Sequence, residues 1–312
     1  MTEPAISLDA LSRRFGDTTA VDGLTFDVSR GGLFGIVGPD GAGKTTTLRM
    51  LSGVLRPSSG TARVLGLDVA EDPEAVKPHI AYMAQRFGLY EDLTVAENLA
   101  FYADLYGVPH SEQPARLERL HAFSGLGPFQ DRLAGALSGG MKQKLSLSCC
   151  LVHRPEVLLL DEPTFGVDPI SRRDLWMILH EMVADGVTVL ITTSYLDEAE
   201  RCDRVALLDE GRVLALDDPR VLQRSLDGTV WAIETDDPRA ARDTLRRDPR
   251  IRSAVLFGEV VHAFVPSGVD ADAVPGLFSE QPFATRKVRP IEPSLEDVFI
   301  QLVGGSGSER RA

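Results

Sequence analysis

Cysteine and tryptophan are scarce in this 312-residue chain, with three of the first and two of the second. Cys149 and Cys150 are adjacent and Cys202 stands alone. An odd count at no metal-ligand spacing excludes a disulfide framework and a cysteine-based zinc site, and it fits a reducing compartment. No run approaches the roughly 18 consecutive apolar residues of a membrane span. Residues 1–10 carry neither the basic nor the apolar segment of an export signal, so we expect a cytoplasmic protein that neither crosses a membrane nor is secreted. Basic residues are outnumbered, 33 Lys and Arg against 46 Asp and Glu, for a net charge of −13. That balance argues against broad, charge-driven binding of nucleic acid. Internal repeats are absent, and low complexity is confined to residues 304–312, where we expect a frayed tail.

What is present is an ordinary globular balance, 43% hydrophobic and 25% charged, in a chain about twice the usual domain length. Through the first 220 or so residues, short β-branched or Leu-rich runs alternate with helical patterns: Leu33 to Val37, Val157 to Leu160, Val187 to Ile191 and Val205 to Leu208. Such runs suit strands buried on both faces. Leu175, Ile178, Leu179 and Met182 form one face of a helix that stops before Gly186. The pattern predicts an α/β fold with a mainly parallel sheet. Residues 87–154 carry consecutive helical patterns, Thr94 to Tyr106 and Gln113 to Phe123, and are expected to form a helical insertion. Beyond about Leu226 the texture changes to Val230–Glu234, a helix-like Pro238 to Arg247, two strand runs around Phe257-Gly258-Glu259, and a final helix capped by Ser294 with Asp297. We therefore expect a first domain over 1–226, a small α+β accessory domain over 227–303, and a disordered tail over 304–312.

Directly after the strand Leu33 to Val37 comes Gly38-Pro39-Asp40-Gly41-Ala42-Gly43-Lys44-Thr45, opening a helix at Thr46. This is G-x-x-x-x-G-K-[ST] between a strand and a helix, the setting of a P-loop. Glycines let the backbone curl so that successive N–H groups, and the helix N-terminus with Thr46, face phosphate oxygens. Lys44 would reach the β and γ phosphates of a nucleotide, and Thr45 Oγ1 would ligate Mg²⁺. The run Val157-Leu158-Leu159-Leu160-Asp161-Glu162 is a buried strand ending in two carboxylates, which taken alone could simply be a strand reaching solvent. Beside a P-loop, Asp161 would hold Mg²⁺ through its water shell and Glu162 would act as general base on the attacking water. Ser138-Gly139-Gly140 opens a further helix; by itself it is a cap and turn, but it offers a hydroxyl, free amides and a helix N-terminus.

The ordered set GPDGAGKTT, LSGGMKQ and LLLLDEPT, over approximately Ile6 to Leu226, resembles the ATP-binding cassette of ABC transporters. The resemblance implies an ATPase that binds ATP and Mg²⁺. It implies Phe15 as the aromatic that stacks on adenine, Gln85 as the Q-loop residue within the catalytic and metal-binding set, and Asp168 as the D-loop residue. Read alone, these three are a core Phe, an exposed Gln and a turn Asp before Pro169. It also implies a second nucleotide-binding domain placed head to tail, so that Ser138, Gly139 and Gly140 act across the pair. The segment Pro293-Ser294-Leu295-Glu296-Asp297-Val298-Phe299 resembles the PSLEDVF segment of daunorubicin-resistance, ABC-2 type exporters, although a capped amphipathic helix explains it equally well.

One position departs from the family pattern. Where a histidine that contacts the γ-phosphate should follow Thr193, this chain has Ser194, and none of its six histidines stands there. Serine can hydrogen-bond a phosphate but cannot bridge phosphate and carboxylate as an imidazole can, so slow hydrolysis is expected. The sequence thus reads as the ATPase subunit of an export transporter, peripheral on the inner face of the membrane and energising a separate permease. The alternative is a degenerate regulatory cassette that binds ATP, hydrolyses it slowly and pairs with an intact one. A soluble ATPase acting on DNA or ribosomes is disfavoured by the single cassette, the lack of heptads and the negative charge.

Overall fold

The computed structural model describes residues 3–86, 88–269, 276 and 284–309. Phe87, at the expected start of the helical insertion, and residues 310–312 of the expected tail lie outside them. In chain order the elements are β1 Ile6–Phe15, β2 Thr18–Val28, β3 Leu33–Val37, α1 Lys44–Leu51, β4 Ser59–Val64, β5 Leu67–Asp68, α2 Pro73–Val76, β6 Ile80–Met83, α3 Val95–Leu105, α4 Gln113–Ser124 and α5 Gly139–Leu151. There follow β7 Val157–Asp161, α6 Pro169–Ala184, β8 Thr188–Thr193, α7 Leu196–Ala199, β9 Arg204–Asp209, β10 Arg212–Asp217 and α8 Pro219–Arg224. The last are β11 Gly228–Thr235, α9 Pro238–Leu245, β12 Ser253–Phe257, β13 Val260–Pro266, β14 Thr285–Ile291 and α10 Leu295–Glu309. Contacts divide the chain into two units, Met1–Tyr195 with Cys202–Val213, and Leu196–Arg201 with Leu214–Ala312.

In the first unit the strands of the main sheet run in the order β9-β3-β8-β7-β6. The pairs β3–β8, β3–β9, β7–β8 and β6–β7 are parallel, so the expected mainly parallel sheet is present. Every residue of β3, β7 and β8 is buried, as parallel strands covered on both faces require. A second sheet, β2-β1-β4-β5, is antiparallel and was not anticipated. Its signal was the alternation in β1, where Ile6, Leu8 and Leu11 are buried between more exposed neighbours, diluted by register shifts after Leu8.

From α3 to α5 the chain forms helices joined by turns and no strand, with one isolated bridge, Thr94 to Leu133. Its core gathers Val95, Leu99, Tyr102, Leu126, Leu145 and Cys149. Thr94 and Glu97 form a reciprocal capping box that starts α3. Buried Asn98 accepts from Tyr90 N–H and donates to the carbonyls of Tyr90, Leu93 and Thr94, which fixes the loop before that helix. Cys149 and Cys150 are buried and free. Burial pushes both thiols up, so they remain neutral and pack as small apolar groups.

In the second unit an antiparallel sheet, β12-β13-β11-β14, packs with α9 around Trp231, Ile233, Leu245, Ile251 and Val261. The expected hairpin lies at Gly258, between β12 and β13. Ser294 and Asp297 cap α10: Asp297 Oδ2 accepts from the Ser294 amide at 2.8 Å, and Ser294 Oγ accepts from the Asp297 amide at 3.2 Å. That helix continues to Glu309, so residues 304–309, expected as frayed tail, are helical.

Candidate nucleotide and metal site

Four strands of the parallel sheet, β6, β3, β7 and β8, end at one place and deliver the polar residues of the site there. Beyond Val37 the chain turns through residues 38–43 into α1. Gly43, the N-cap, has φ +97°, and a Cβ there would meet Ala20 O at 2.5 Å, so glycine is required for the curl. No side chain caps α1, and the first-turn amides of Lys44, Thr45 and Thr46 have no intrahelical acceptor. Asp40 and Gly41 are exposed at the rim, whereas Ala42 is buried beneath the loop. The Lys44 side chain is 5% exposed, and its Nζ donates to Gly38 O at 2.7 Å, Pro39 O at 3.1 Å and Ser194 Oγ at 3.0 Å. The same nitrogen lies 3.1 Å from Glu162 Oε1.

The two carboxylates after Leu160 have different surroundings. Asp161 Oδ1 accepts from Thr45 Oγ1 at 2.9 Å and from Thr192 Oγ1 at 2.8 Å, while the Tyr82 hydroxyl reaches Oδ2 at 3.5 Å. Burial and then the Asp161 charge push the Tyr82 phenol up, which keeps it a donor. Glu162 adopts φ +46°, left-handed backbone that a residue with a Cβ seldom occupies. Its amide donates to Thr192 O and Thr192 Oγ1, each at 3.1 Å. Its carboxylate accepts from Ser194 Oγ at 2.7 Å, and Gln85 Nε2 stands 3.5 Å from Oε2. Lys44, Thr45, Gln85, Asp161, Glu162 and Ser194 therefore meet.

Other singled-out residues lie apart. Phe15 ends β1 with 47% of its surface exposed, which excludes the core-aromatic alternative, and the Arg13 guanidinium stands 4.6 Å from its ring centroid. Ser138 caps α5, accepting from the Met141 amide at 3.3 Å. The glycines after it pack against residues 166–171 and not against the loop 38–45. A Cβ on Gly140 would collide with Ser171 Oγ and Cβ, and one on Gly139 would lie 3.8 Å from Gly166 O. Asp168 caps α6, accepting from the amides of Ile170 at 3.1 Å and Ser171 at 3.0 Å. The Ser171 amide, more than any other contact, holds the Asp168 carboxyl below the usual range.

Thr192 and Tyr82 were not singled out from the sequence. A hydroxyl following the aliphatic run Val189-Leu190-Ile191, in a strand ending beside Asp161, was the available signal. Register alone, Asp161 opposite Thr192, makes it visible.

The donors gathered here are hydroxyl, carboxylate and amide oxygens, and among the described residues no group of three His, Cys, Asp or Glu forms a metal cage. A hard divalent cation that completes its shell with water and phosphate oxygens suits that set, with Thr45 and Asp161 2.9 Å apart.

The family described as "ABC transporter" matches residues 21–165. Over 319 residues the chain is 43% identical to YbhF of Escherichia coli (strain K12), named as a probable multidrug ABC transporter ATP-binding protein. That match covers 99% of this chain and 54% of YbhF, so the chain spans about half the length of that relative. It is 37% identical over 320 residues to the daunorubicin/doxorubicin resistance ATP-binding protein DrrA of Streptomyces peucetius, covering 99% of this chain and 96% of DrrA. A solved structure of an ATP binding subunit of an ABC transporter superimposes with a TM-score of 0.64 at 32% identity, over 70% of this chain and 92% of that one. With fold, P-loop geometry and full-length likeness in agreement, the chain belongs to the family of ABC transporter ATP-binding proteins.

Proposed function

We propose that the chain binds ATP with Mg²⁺, hydrolyses it, and so energises export through a separate membrane permease, in partnership with a second nucleotide-binding domain. The observation that carries this is the meeting of Lys44, Glu162 and Ser194 within 3.1 Å of one another, beside the Asp161–Thr45 pair. In this reading the amides from Gly41 to Thr46 and the α1 N-terminus cradle the β and γ phosphates. Lys44, unable to serve two anions fully, shifts from Glu162 toward the terminal phosphate. Phe15 stacks on the base. Thr45 and Asp161, with Gln85 nearby, would hold Mg²⁺, which would offset phosphate charge.

Freed from the lysine, Glu162 orients a water for in-line attack and takes its proton at the carboxylate. Ser194 keeps Glu162 pointed at that water but cannot itself carry charge. The retained carboxylate supports hydrolysis in this chain over the regulatory alternative. Gly139 and Gly140, seated against 166–171, and Ser138 before them serve the partner's nucleotide in this reading, with Asp168 holding α6 at that junction. The permease carries the membrane spans: among the described residues no helix is long and apolar enough to cross a membrane. We assign the nucleotide chemistry to residues 1–226, an accessory role to 227–303, and a peripheral position on the cytoplasmic face of the membrane. Nucleotide titration and steady-state turnover of the full chain with Mg²⁺ test the reading. Absence of both overturns it.

A further inference from the structure

We propose that Thr192 is a positioning residue for hydrolysis, one hydroxyl setting the Asp161 carboxylate and the Glu162 backbone against each other. The inference rests on the hydrolytic reading above. Thr192 is fully buried and ends the aliphatic run Val189-Leu190-Ile191. A hydroxyl there is costly unless it is hydrogen-bonded, and valine has the same shape without that demand. The hydroxyl is used in both directions. Its proton goes to Asp161 Oδ1 at 2.8 Å, in preference to Leu160 O at 3.4 Å, because a carboxylate is the stronger acceptor. A lone pair accepts the Glu162 amide at 3.1 Å.

These two partners are successive residues with different tasks, one facing the metal and one the water. Glu162 sits at φ +46°, a conformation that persists only where its surroundings fix it. Two oxygens of Thr192, carbonyl and hydroxyl, hold that amide. One side-chain oxygen on the neighbouring strand thus touches both the metal ligand and, beside the Thr192 carbonyl, the backbone of the base. Thr45 also donates to Asp161 Oδ1 and would be diverted by a bound cation, which leaves Thr192 as the standing donor to that oxygen.

The test compares wild type, Thr192→Val and Thr192→Ser in the full chain, reading thermal melting, ATP-analogue affinity with and without Mg²⁺, and kcat with KM. The expected Thr192→Val protein melts within a few degrees of wild type and binds metal-free nucleotide equally well. Its affinity for the metal–nucleotide complex and its KM stay within a few fold of wild type, and its kcat falls roughly 10- to 100-fold, as for a misplaced reacting group. Thr192→Ser restores kcat to within about threefold. A Thr192→Val kcat equal to wild type overturns the inference, and so does a serine variant as impaired as valine. Joint loss of melting temperature, metal-free binding and kcat also overturns it, since that marks a merely structural role. If wild type turns over ATP no faster than Lys44→Ala, the proposed function itself fails and takes this inference with it. An active wild type with an unaffected valine variant defeats this inference alone.

Discussion

Ser194 Oγ donates a 2.7 Å hydrogen bond to Glu162 Oε1 and accepts one from Lys44 Nζ at 3.0 Å. Ser194 is therefore a neutral link between Glu162 and Lys44, where the proposed reading expects a histidine. Losing a positioned contact to the developing phosphate charge costs about 10²–10³ in rate. We expect slow turnover in the isolated chain, with Ser194→His raising kcat while KM stays within a few fold. Steady-state ATPase measurements on both proteins decide this. Wild-type turnover of several per second, unimproved by histidine, would mean the serine link suffices.

Lys44→Ala removes the cation shared by Glu162 and the proposed phosphate site while leaving the apolar core untouched. Tight binding of a fluorescent ATP analogue should weaken by about 100-fold or more, since a charge-assisted contact is lost and Glu162 is left unneutralised beside the phosphates. Titration checks this. Unchanged affinity would remove Lys44 from the phosphate site.

Glu162→Gln keeps the shape and can still accept from Ser194, but it cannot take a proton. ATP should bind and persist, and the chain should shift to a larger species on size exclusion with Mg²⁺ and ATP. Turnover equal to wild type would show that another group is the base.

At Gly140 the first turns of α5 and α6 pass so closely that a methyl group would strike Ser171. Gly140→Ala should destabilise the first unit by about 1–3 kcal/mol, the usual cost of overpacking. Denaturant unfolding followed through Trp176, buried on α6, reads this. An unchanged midpoint would show that the junction yields easily.

In the second unit, burial pushes the Asp297 carboxyl up, but the hydrogen bonds from His262 and Ser294 outweigh it and hold the group below its ordinary range. A depressed carboxyl contributes stability above its unfolded value, near 3.9, and loses it as pH falls through the folded value. Asp297→Asn should therefore lower stability by about 1–2 kcal/mol near neutral pH, with the gap closing below about pH 4. With Trp176→Phe as background, Trp231 becomes the sole tryptophan and reports this unit's melting. A gap constant from pH 7 to pH 3 would refute the linkage.

Much of this was legible because the decisive signals were local. The P-loop needs its glycines in sequence, the strand before Asp161 is a continuous apolar run, and Ser294 with Asp297 writes its cap within four residues. The parallel sheet followed from buried runs alternating with helices. The sheet formed by β1, β2, β4 and β5 was not legible, because its bulged strands break the two-residue rhythm. Nor was Thr192, whose importance comes from strand order. Residues 161 and 192 become neighbours only when β7 pairs with β8, a fact that no spacing encodes.

Thr192, in β8, and Ser194, in the bend just past it, are two residues apart, and their hydroxyls reach Asp161, the last residue of β7, and Glu162 after it. The run of β8 into that bend thus acts as a ruler whose graduation is one residue. A slip or a single-residue deletion within β8 would swing the Thr192 hydroxyl to the opposite face, bring the Thr193 side chain round in its place and carry Ser194 out of step with Glu162. Conservative changes of composition in Val189–Ile191 should be tolerated so long as the count from Thr188 to Ser194 is kept. Length, more than identity, is what this strand cannot vary.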